Sequence, residues 1–216
     1  MRGKNIMFKP KIAHIDLTKR TVSYDYIPSE IVAMFLGARG INSYLLYTNT
    51  DKGTEPLGPE NPLIIGNGLL TGLSGPTTSR ATISAKSPES GLLGDANIGG
   101  HFGAGMKRTG IDYLMIKGKA DALVYLDVTD NKVVIKDAEH LCGKDSHETR
   151  DALEKECGKD AQMLCIGQAG ENLVRFAAVM HGKKGAAART GMGAVMGSKK
   201  LKAVVVKGTQ KIDAHD

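Results

Sequence analysis

The chain has 216 residues, of which 41% are hydrophobic, 24% charged and 5% aromatic, and its formal net charge is +6. Such proportions are ordinary for a globular protein, and no apolar stretch approaches the ~18 residues that a membrane-spanning helix requires. The positive charge allows an anionic partner, but the few aromatic side chains and the lack of a recognised motif argue against nucleic-acid binding.

The predicted elements fall into two successive runs. In the first run we predict strands at 11–17 and 21–27, helices starting at 28 and 41, strands at 63–66 and 79–86, a long loop over 87–100, and then a glycine-rich turn, a helix and a strand that ends near 118. In the second run we predict strands at 124–129 and 133–137, a helix over 146–156 capped by Ser146, a strand at 162–166, a loop over 182–188, and then again a glycine-rich turn, a helix and a strand.

The closing segments of the two runs, 99–118 and 189–208, align with each other without a gap. The alignment places Gly103 on Gly193, Met106 on Met196, Lys117 on Lys207 and Gly118 on Gly208. Hairpins join most of the strands, which indicates an α+β fold of two pseudo-dyad-related halves with mixed or antiparallel sheets and flanking helices. We predict one domain over 1–216, built of repeats at about 11–118 and 122–208. The alternative is a single mixed α+β domain without duplication.

A few polar residues of these loops suit the binding of phosphate and of a hard cation. Arg80 and Arg189 occupy corresponding parts of the two halves, and a guanidinium binds phosphate through two parallel hydrogen bonds. Asn97 and Ala186 lie in predicted loops whose carbonyl oxygens can ligate a hard cation. His101 lies among glycines, either near a site or as an ordinary hydrogen-bonded imidazole.

Two further segments leave alternatives or are excluded. The basic run 199–202 is interpreted either as solvated lysines on a surface turn or as a phosphate-facing group. Segment 193–199 is one residue too short for a GxxxxGK[ST] phosphate loop, and it precedes its strand, so we exclude nucleotide binding there. The three cysteines, Cys142, Cys157 and Cys165, are too irregularly spaced for a CxxC-type metal site, and their sparse, odd number is typical of a reducing compartment. We therefore expect a cytoplasmic protein.

Taken together, several motifs resemble the N-terminal domain of the tungsten-containing aldehyde:ferredoxin oxidoreductases. They are FLGARG at 35–40, PLGPEN at 56–61, LTG at 70–72, KSP at 86–88, ANIGGHFG at 96–103, GQAGENLVRFAA at 167–178 and the segment 193–203. The resemblance implies a base for a tungsten or molybdenum ion held by two pyranopterins, with Mg²⁺ bridging the pterin phosphates. Asn97 and Ala186 would give backbone oxygens to that Mg²⁺. Arg80, Gly99 and Arg189 would contact the pterins.

The chain departs from the family pattern in two ways. Gly185 and Ala188 stand where members usually carry arginine and glycine, and Lys183 or Lys184 would have to supply the missing charge, although lysine lacks the planar fork of arginine. Members also continue well beyond this length, into a portion with a [4Fe–4S] cluster, further pterin contacts and the substrate channel.

The leading hypothesis is therefore a pterin-binding N-terminal domain or subunit of an enzyme that oxidises aldehydes to carboxylic acids and passes electrons to ferredoxin. We expect the isolated chain to be inactive and its partner to be a cluster-bearing C-terminal portion or subunit. We also expect a homo-oligomer, because the face that this portion would cover is exposed. The alternative is a non-catalytic, stand-alone module that binds pterin or acts as a scaffold.

Overall fold

The computed structural model describes residues 9–212, so 1–8 and 213–216 of the predicted domain lie outside it. The described residues form two six-stranded sheets. The N-terminal sheet contains β1 (Lys11–Asp16), β2 (Thr21–Tyr26), β3 (Leu63–Asn67), β4 (Ala81–Lys86), β5 (Leu93–Ile98) and β6 (Tyr113–Lys117). The C-terminal sheet contains β7 (Val124–Thr129), β8 (Lys132–Asp137), β9 (Gln162–Cys165), β10 (Val179–His181), β11 (Gly185–Ala187) and β12 (Leu201–Val206).

The two sheets have the same strand order. It is β2-β1-β6-β3-β4-β5 in the N-terminal sheet and, in the corresponding direction, β8-β7-β12-β9-β10-β11 in the C-terminal sheet. In each sheet the first and last strands of the half pair in parallel, and the other pairs are antiparallel. The predicted α+β fold of two related halves with mixed sheets is confirmed. Duplication as the origin of this likeness stays a prediction.

Six α-helices complete the fold. They are α1 (Ser29–Phe35), α2 (Arg39–Asn49), α3 (Phe102–Arg108), α4 (Ser146–Cys157), α5 (Gln168–Glu171) and α6 (Met192–Ser198) among the described residues. None of the helices formed by residues 9–212 has the length and apolar character that crossing a bilayer requires.

The main apolar core lies between the two sheets. This core contains buried side chains of both sheets and of the two central helices, α3 and α6. Examples are Ile83 of β4, Met106 of α3, Val195 of α6 and Val204 of β12. Each central helix lies between the two sheets and packs against both: α3 contacts β3 of its own half and β9 and β12 of the other, and α6 contacts β12 of its own half and β3, β4 and β5 of the other. Two smaller apolar clusters lie on the outer faces, under α1 and α2 on one side and under α4 on the other.

Helix α4 begins at Ser146, as predicted, but its N-cap differs from the prediction. Its cap is Asp145 rather than Ser146, because the Asp145 carboxylate accepts the backbone N–H groups of His147 and Glu148, both at 2.8 Å. The Glu148 carboxylate accepts the N–H of Asp145 in return, at 3.0 Å. The two residues thus form a capping box, and these hydrogen bonds, that from the Glu148 N–H first, lower the pKa of Asp145.

Both interpretations of the basic run 199–202 were wrong. Lys199 and Lys202 are fully buried. The Lys199 ammonium donates to the carbonyl oxygen of Pro59 at 3.0 Å, and that of Lys202 donates to Lys144 O at 2.8 Å and pairs with Glu171. The run therefore ties turns of the fold together, and burial lowers the pKa of Lys199 to about 8.

Candidate functional site

A hollow of about 720 Å³ opens beside α2 and the ends of β4 and β5. It is lined by Leu36, Gly37, Ala38, Arg39, Gly68, Leu69, Leu70, Thr71, Thr77, Thr78, Arg80, Thr82 and Asn97. The fold thereby brings together two of the predicted site residues, Arg80 and Asn97, which are 17 positions apart in the sequence.

The backbone that forms one wall of this hollow is strained. Leu36 has φ 62° and ψ −71°, and Ala38 has φ 45° and ψ −117°. Such conformations cost a non-glycine residue about 1–3 kcal/mol each and persist only where the surroundings enforce them. Here the Ala38 N–H donates to Asn67 O at 2.9 Å and to the Tyr113 hydroxyl at 3.0 Å, and that hydroxyl donates to Asn67 O at 2.8 Å. The strained wall is thus fixed to the core.

The charges of the hollow come from two arginines. Arg39 pairs with Asp95 at 2.5 Å, so its charge is largely compensated. Arg80 is exposed, and within residues 9–212 its guanidinium has neither a hydrogen bond nor an ion pair. Arg80 therefore remains available to an external anion. Asn97 is half-buried, and its side-chain oxygen accepts the Thr82 hydroxyl at 2.9 Å.

The other predicted site residues lie where the two sheets meet. Strands β5 and β11, the edge strands of the two sheets, are in contact. Ala186 lies exposed on β11, opposite Met180 of β10. Arg189 follows that strand, and its exposed guanidinium is also unpaired within the described part of the chain. Gly99 directly follows β5, and a Cβ added there would meet no atom within 4 Å.

The structure thus brings the five predicted residues toward one edge of the molecule, but not into one hollow. Arg80 and Asn97 line the hollow described above, whereas Gly99, Ala186 and Arg189 do not line it. In residues 9–212 there is no group of three or more His, Cys, Asp or Glu side chains that could hold a metal ion.

The hairpin between β10 and β11 is tight at Gly185, where the resemblance predicts an arginine. A Cβ added at Gly185 would lie 2.8 Å from the carbonyl oxygen of His181, so this hairpin has no room for a larger residue without a backbone shift. Lys183 and Lys184 are exposed in its turn. Their side chains are therefore free to approach an anion bound at this edge.

The sequence pointed to His101 as a candidate site residue and not to His181. In the structure it is the His181 ring that makes hydrogen-bonding contacts here. The His181 ring lies 2.9 Å from Met163 O through Nδ1 and 3.3 Å from the backbone N–H of His101 through Nε2. Burial is the main reason that the pKa of His181 is lowered. No local sequence pattern predicts this contact, because the two histidines are 80 positions apart.

The fold and the site together define a two-sheet α+β domain that presents two unpaired arginines, one before β4 and one after β11, and open glycine backbone after β5. The chain belongs to the family described as "Aldehyde ferredoxin oxidoreductase, N-terminal domain", whose model matches residues 12–208. This confirms the resemblance seen in the sequence.

Among curated proteins, the chain is similar to the tungsten-containing aldehyde ferredoxin oxidoreductases of Pyrococcus abyssi and Thermococcus kodakarensis. The identity is 46% and 44%, each over 207 residues, which is 95% of this chain and 34% of the relative. A WOR-like subunit of an aliphatic sulfonate oxidoreductase from Pyrococcus furiosus is 38% identical over 218 residues, covering 94% of this chain and 35% of that protein.

Among solved structures, the chain matches one described as the active site complex BamBC of benzoyl coenzyme A reductase in complex with 1,5-dienoyl-CoA. The TM-score is 0.92 at 37% identity, covering 95% of this chain and 32% of the matched chain. The chain thus spans about a third of the length of the relatives that it matches.

Proposed function

We propose that this chain is the tungstopterin- or molybdopterin-binding N-terminal part of an oxidoreductase that oxidises aldehydes to carboxylic acids and passes the electrons to ferredoxin. The observation that carries the proposal is the contact between β5 and β11, because it brings Gly99 of one half and Ala186 of the other to the same edge. Two of the three curated relatives reported above are named as tungsten-containing aldehyde ferredoxin oxidoreductases, which supports it.

The residues present fit a phosphate-bearing cofactor. The two unpaired guanidinium groups, of Arg80 and Arg189, would each bind pterin phosphate through charge-assisted hydrogen bonds. At Gly99 the space left by the missing side chain allows a ligand to approach the backbone closely. The backbone oxygens of Asn97 and Ala186 would hold the Mg²⁺ that accompanies the cofactor, since hard cations prefer oxygen ligands.

In this proposal the chain's own residues bind and orient, and they do not react. The bound metal–pterin group supplies the two-electron redox chemistry. The arginines offset the phosphate charge, and the strained wall at Leu36–Ala38, fixed by Tyr113, keeps its side of the hollow in one shape. The [4Fe–4S] cluster and the substrate channel belong to a C-terminal portion or partner subunit, so the isolated chain is inactive.

The exposed apolar side chains beside the hollow agree with a covering portion. Leu36 and Leu70 line the hollow and are 63% and 65% exposed. The C-terminal portion would cover them, and a chain without that portion would associate with itself through this face. Light scattering of the isolated chain tests this: a dimer or larger species is expected, and a monomer at micromolar concentration would contradict it. A cytoplasmic location stays part of the proposal.

A non-catalytic module that binds pterin or acts as a scaffold is the second candidate. The observation that favours it is the tight hairpin at Gly185, which has no room for the arginine of the family pattern. One binding contact is then missing, and lysine in the same turn replaces it only in charge.

A chimera separates these candidates. Residues 12–208 replace the matching part of the Pyrococcus abyssi relative, and the protein is expressed anaerobically with tungstate. Tungsten and pterin contents close to those of the unaltered relative, together with aldehyde-dependent dye reduction, support the enzyme. Cofactor without aldehyde oxidation would favour the pterin-binding module, and a folded chimera without tungsten or pterin would exclude both the enzyme and a pterin-binding module and leave only the scaffold.

Substitutions in the same chimera test the arginines. Arg80→Ala and Arg189→Ala should each weaken pterin retention about tenfold or more, because each removes a charge-assisted hydrogen bond. Arg20→Ala is the matched control: Arg20 is exposed and pairs at 3.1 Å with Asp137, and such surface pairs contribute little. Equal retention in all three variants would refute the assigned roles.

A further inference from the structure

The ring of His181 connects the two halves of the molecule next to the proposed cofactor-binding edge. His181 ends β10, directly before the hairpin that carries Ala186 on β11. Its Nδ1 lies 2.9 Å from the carbonyl oxygen of Met163 in the same sheet. Its Nε2 lies 3.3 Å from the backbone nitrogen of His101, which belongs to the other half and follows Gly99 and Gly100. One side chain at the start of the hairpin thus links strand β9 of its own half to the β5–α3 loop of the other half.

These two contacts define the protonation state of the ring. A carbonyl oxygen only accepts and a backbone N–H only donates, so Nδ1 must carry a proton and Nε2 must offer a lone pair. The neutral Nδ1–H form of His181 satisfies both partners. The doubly protonated ring would direct a second N–H toward the N–H of His101, and the bridge between the halves would be lost.

The loop on the far side is shaped to receive this ring. Gly100 has φ +83°, and a Cβ added there would lie 2.7 Å from Nε2 and 2.8 Å from Cδ2 of His181. The ring of Phe102 packs edge-on against His181, with the centroids 6.2 Å apart. The ring therefore occupies a place where the β5–α3 loop approaches it with glycine backbone.

We propose that His181 is a positioning residue, which holds the loop at Gly99 and the hairpin at Ala186 in the mutual arrangement that cofactor binding requires. This inference rests on the proposed function for its consequence, but the bridge itself is a property of the chain alone.

The surroundings of His181 favour its neutral form at neutral pH. The groups that face its hollow are His101 and Gln162, Arg150 and Glu154 of α4, Lys159 of the following loop, and Lys183 of the hairpin turn. Burial is the largest cause that lowers the pKa of His181 below its usual value of 6.5, and the positive charges of His101 and Arg150 lower it further. The bridge is therefore intact at pH 7 and breaks on acidification.

The bridge is tested first by ¹⁵N NMR on the 216-residue chain. The expected result is a neutral Nδ1–H ring at pH 7 and amide exchange at His101 that becomes about tenfold faster in His181→Leu, which lacks the acceptor. In His181→Gln the side-chain oxygen can still accept from the His101 N–H, so exchange should stay slow. An Nε2–H or charged ring at pH 7, or unchanged exchange in His181→Leu, would overturn the proposal.

The consequence for binding is tested by pterin retention of the chimera as the pH is lowered from 7 to the lowest value at which the chimera stays folded. The unaltered chimera should lose pterin on acidification, His181→Gln should retain it across this range, and His181→Leu should lose it at every pH. His101→Gln is the control, because the bridge uses only the backbone of this residue: it should still lose pterin on acidification, at a slightly higher pH because the His101 charge that lowers the pKa of His181 is removed. A chimera without pterin at any pH would count against the proposed function, while the NMR result still decides the bridge. An acid loss that persists in His181→Gln would overturn the positioning role.

Discussion

Gly197 lies where α6 crosses the short helix α5, and it offers a direct test of how closely the two backbones pack. A Cβ added at Gly197 would lie 1.8 Å from the carbonyl oxygen and 2.6 Å from the carbonyl carbon of Gly170. Restoring an ordinary contact requires α5 to move by about 1.5 Å, and the obstructing atoms are backbone, which cannot rotate away. Gly197→Ala should therefore force the two helices apart.

The expected loss follows from two opposing effects. Overpacking that forces a backbone shift costs about 1–3 kcal/mol and occasionally more, whereas alanine in place of glycine inside a helix gains up to about 1 kcal/mol. Because the clash is with backbone, we expect a net destabilisation of about 2–3 kcal/mol. In a chain of this length that lowers Tm by about 5–10 °C.

The matched control is Gly105→Ala in α3, the other central helix. There the added Cβ would meet only side-chain atoms, of Gln162 and Val206, at 3.2 Å, and these can adjust. The free energy of unfolding should change by less than about 1 kcal/mol. Urea unfolding and thermal denaturation of both variants provide the measurement. Equal stability of the two variants would refute the distinction between backbone and side-chain obstruction.

Three further predictions concern the strained wall, the open glycine and the buried lysine. Tyr113→Phe removes the hydroxyl that contacts the strained wall and should lower stability by about 1–1.5 kcal/mol, with faster hydrogen exchange at Ala38; an unchanged exchange rate would show that Asn67 O suffices. Gly99→Ala should stabilise the cofactor-free chain slightly, by up to about 1 kcal/mol, yet reduce pterin retention in the chimera; normal retention would remove Gly99 from the site. The pKa of Lys199 is about 8 in the folded chain and 10.5 in the unfolded chain. Between pH 8 and 10.5 the folded state therefore binds fewer protons than the unfolded state, and the contribution of Lys199 to the free energy of unfolding rises with pH. The free energy of unfolding of the unaltered chain minus that of Lys199→Met should therefore increase by about 3 kcal/mol from pH 7 to 10.5, and a constant difference would contradict the burial of a charged ammonium.

The sequence predicted the elements with strong periodicity and missed two that carry site residues. The strands β1, β3 and β12 were found because apolar residues dominate or alternate in them. Strand β5 was predicted as part of a long loop, since Gly94, Asp95 and Asn97 are poor strand formers. It is nevertheless a strand, because it pairs with β4 along its full length. Strand β11, of only three residues, was likewise taken as loop.

The same limit applies to contacts that join distant parts of the chain. Arg80 and Arg189 could be singled out from the chemistry of the guanidinium group and from their corresponding positions. The contact between Lys199 and Pro59 spans 140 positions, and a lysine looks solvated in any local pattern. Such contacts depend on how the two sheets pack, which no local preference encodes.

The position of α3 and α6 between the two sheets has a consequence for folding. Because each of these helices packs against the sheet of the other half as well as against its own, each half contributes to the interior of the other. Cutting the chain between residues 118 and 122 would leave two fragments, each lacking part of its interior, that we expect to be recoverable only as a non-covalent pair. The two halves therefore resemble the subunits of an obligate heterodimer joined in one polypeptide. We expect a destabilising substitution in either half to perturb both of the loops that face the ligand.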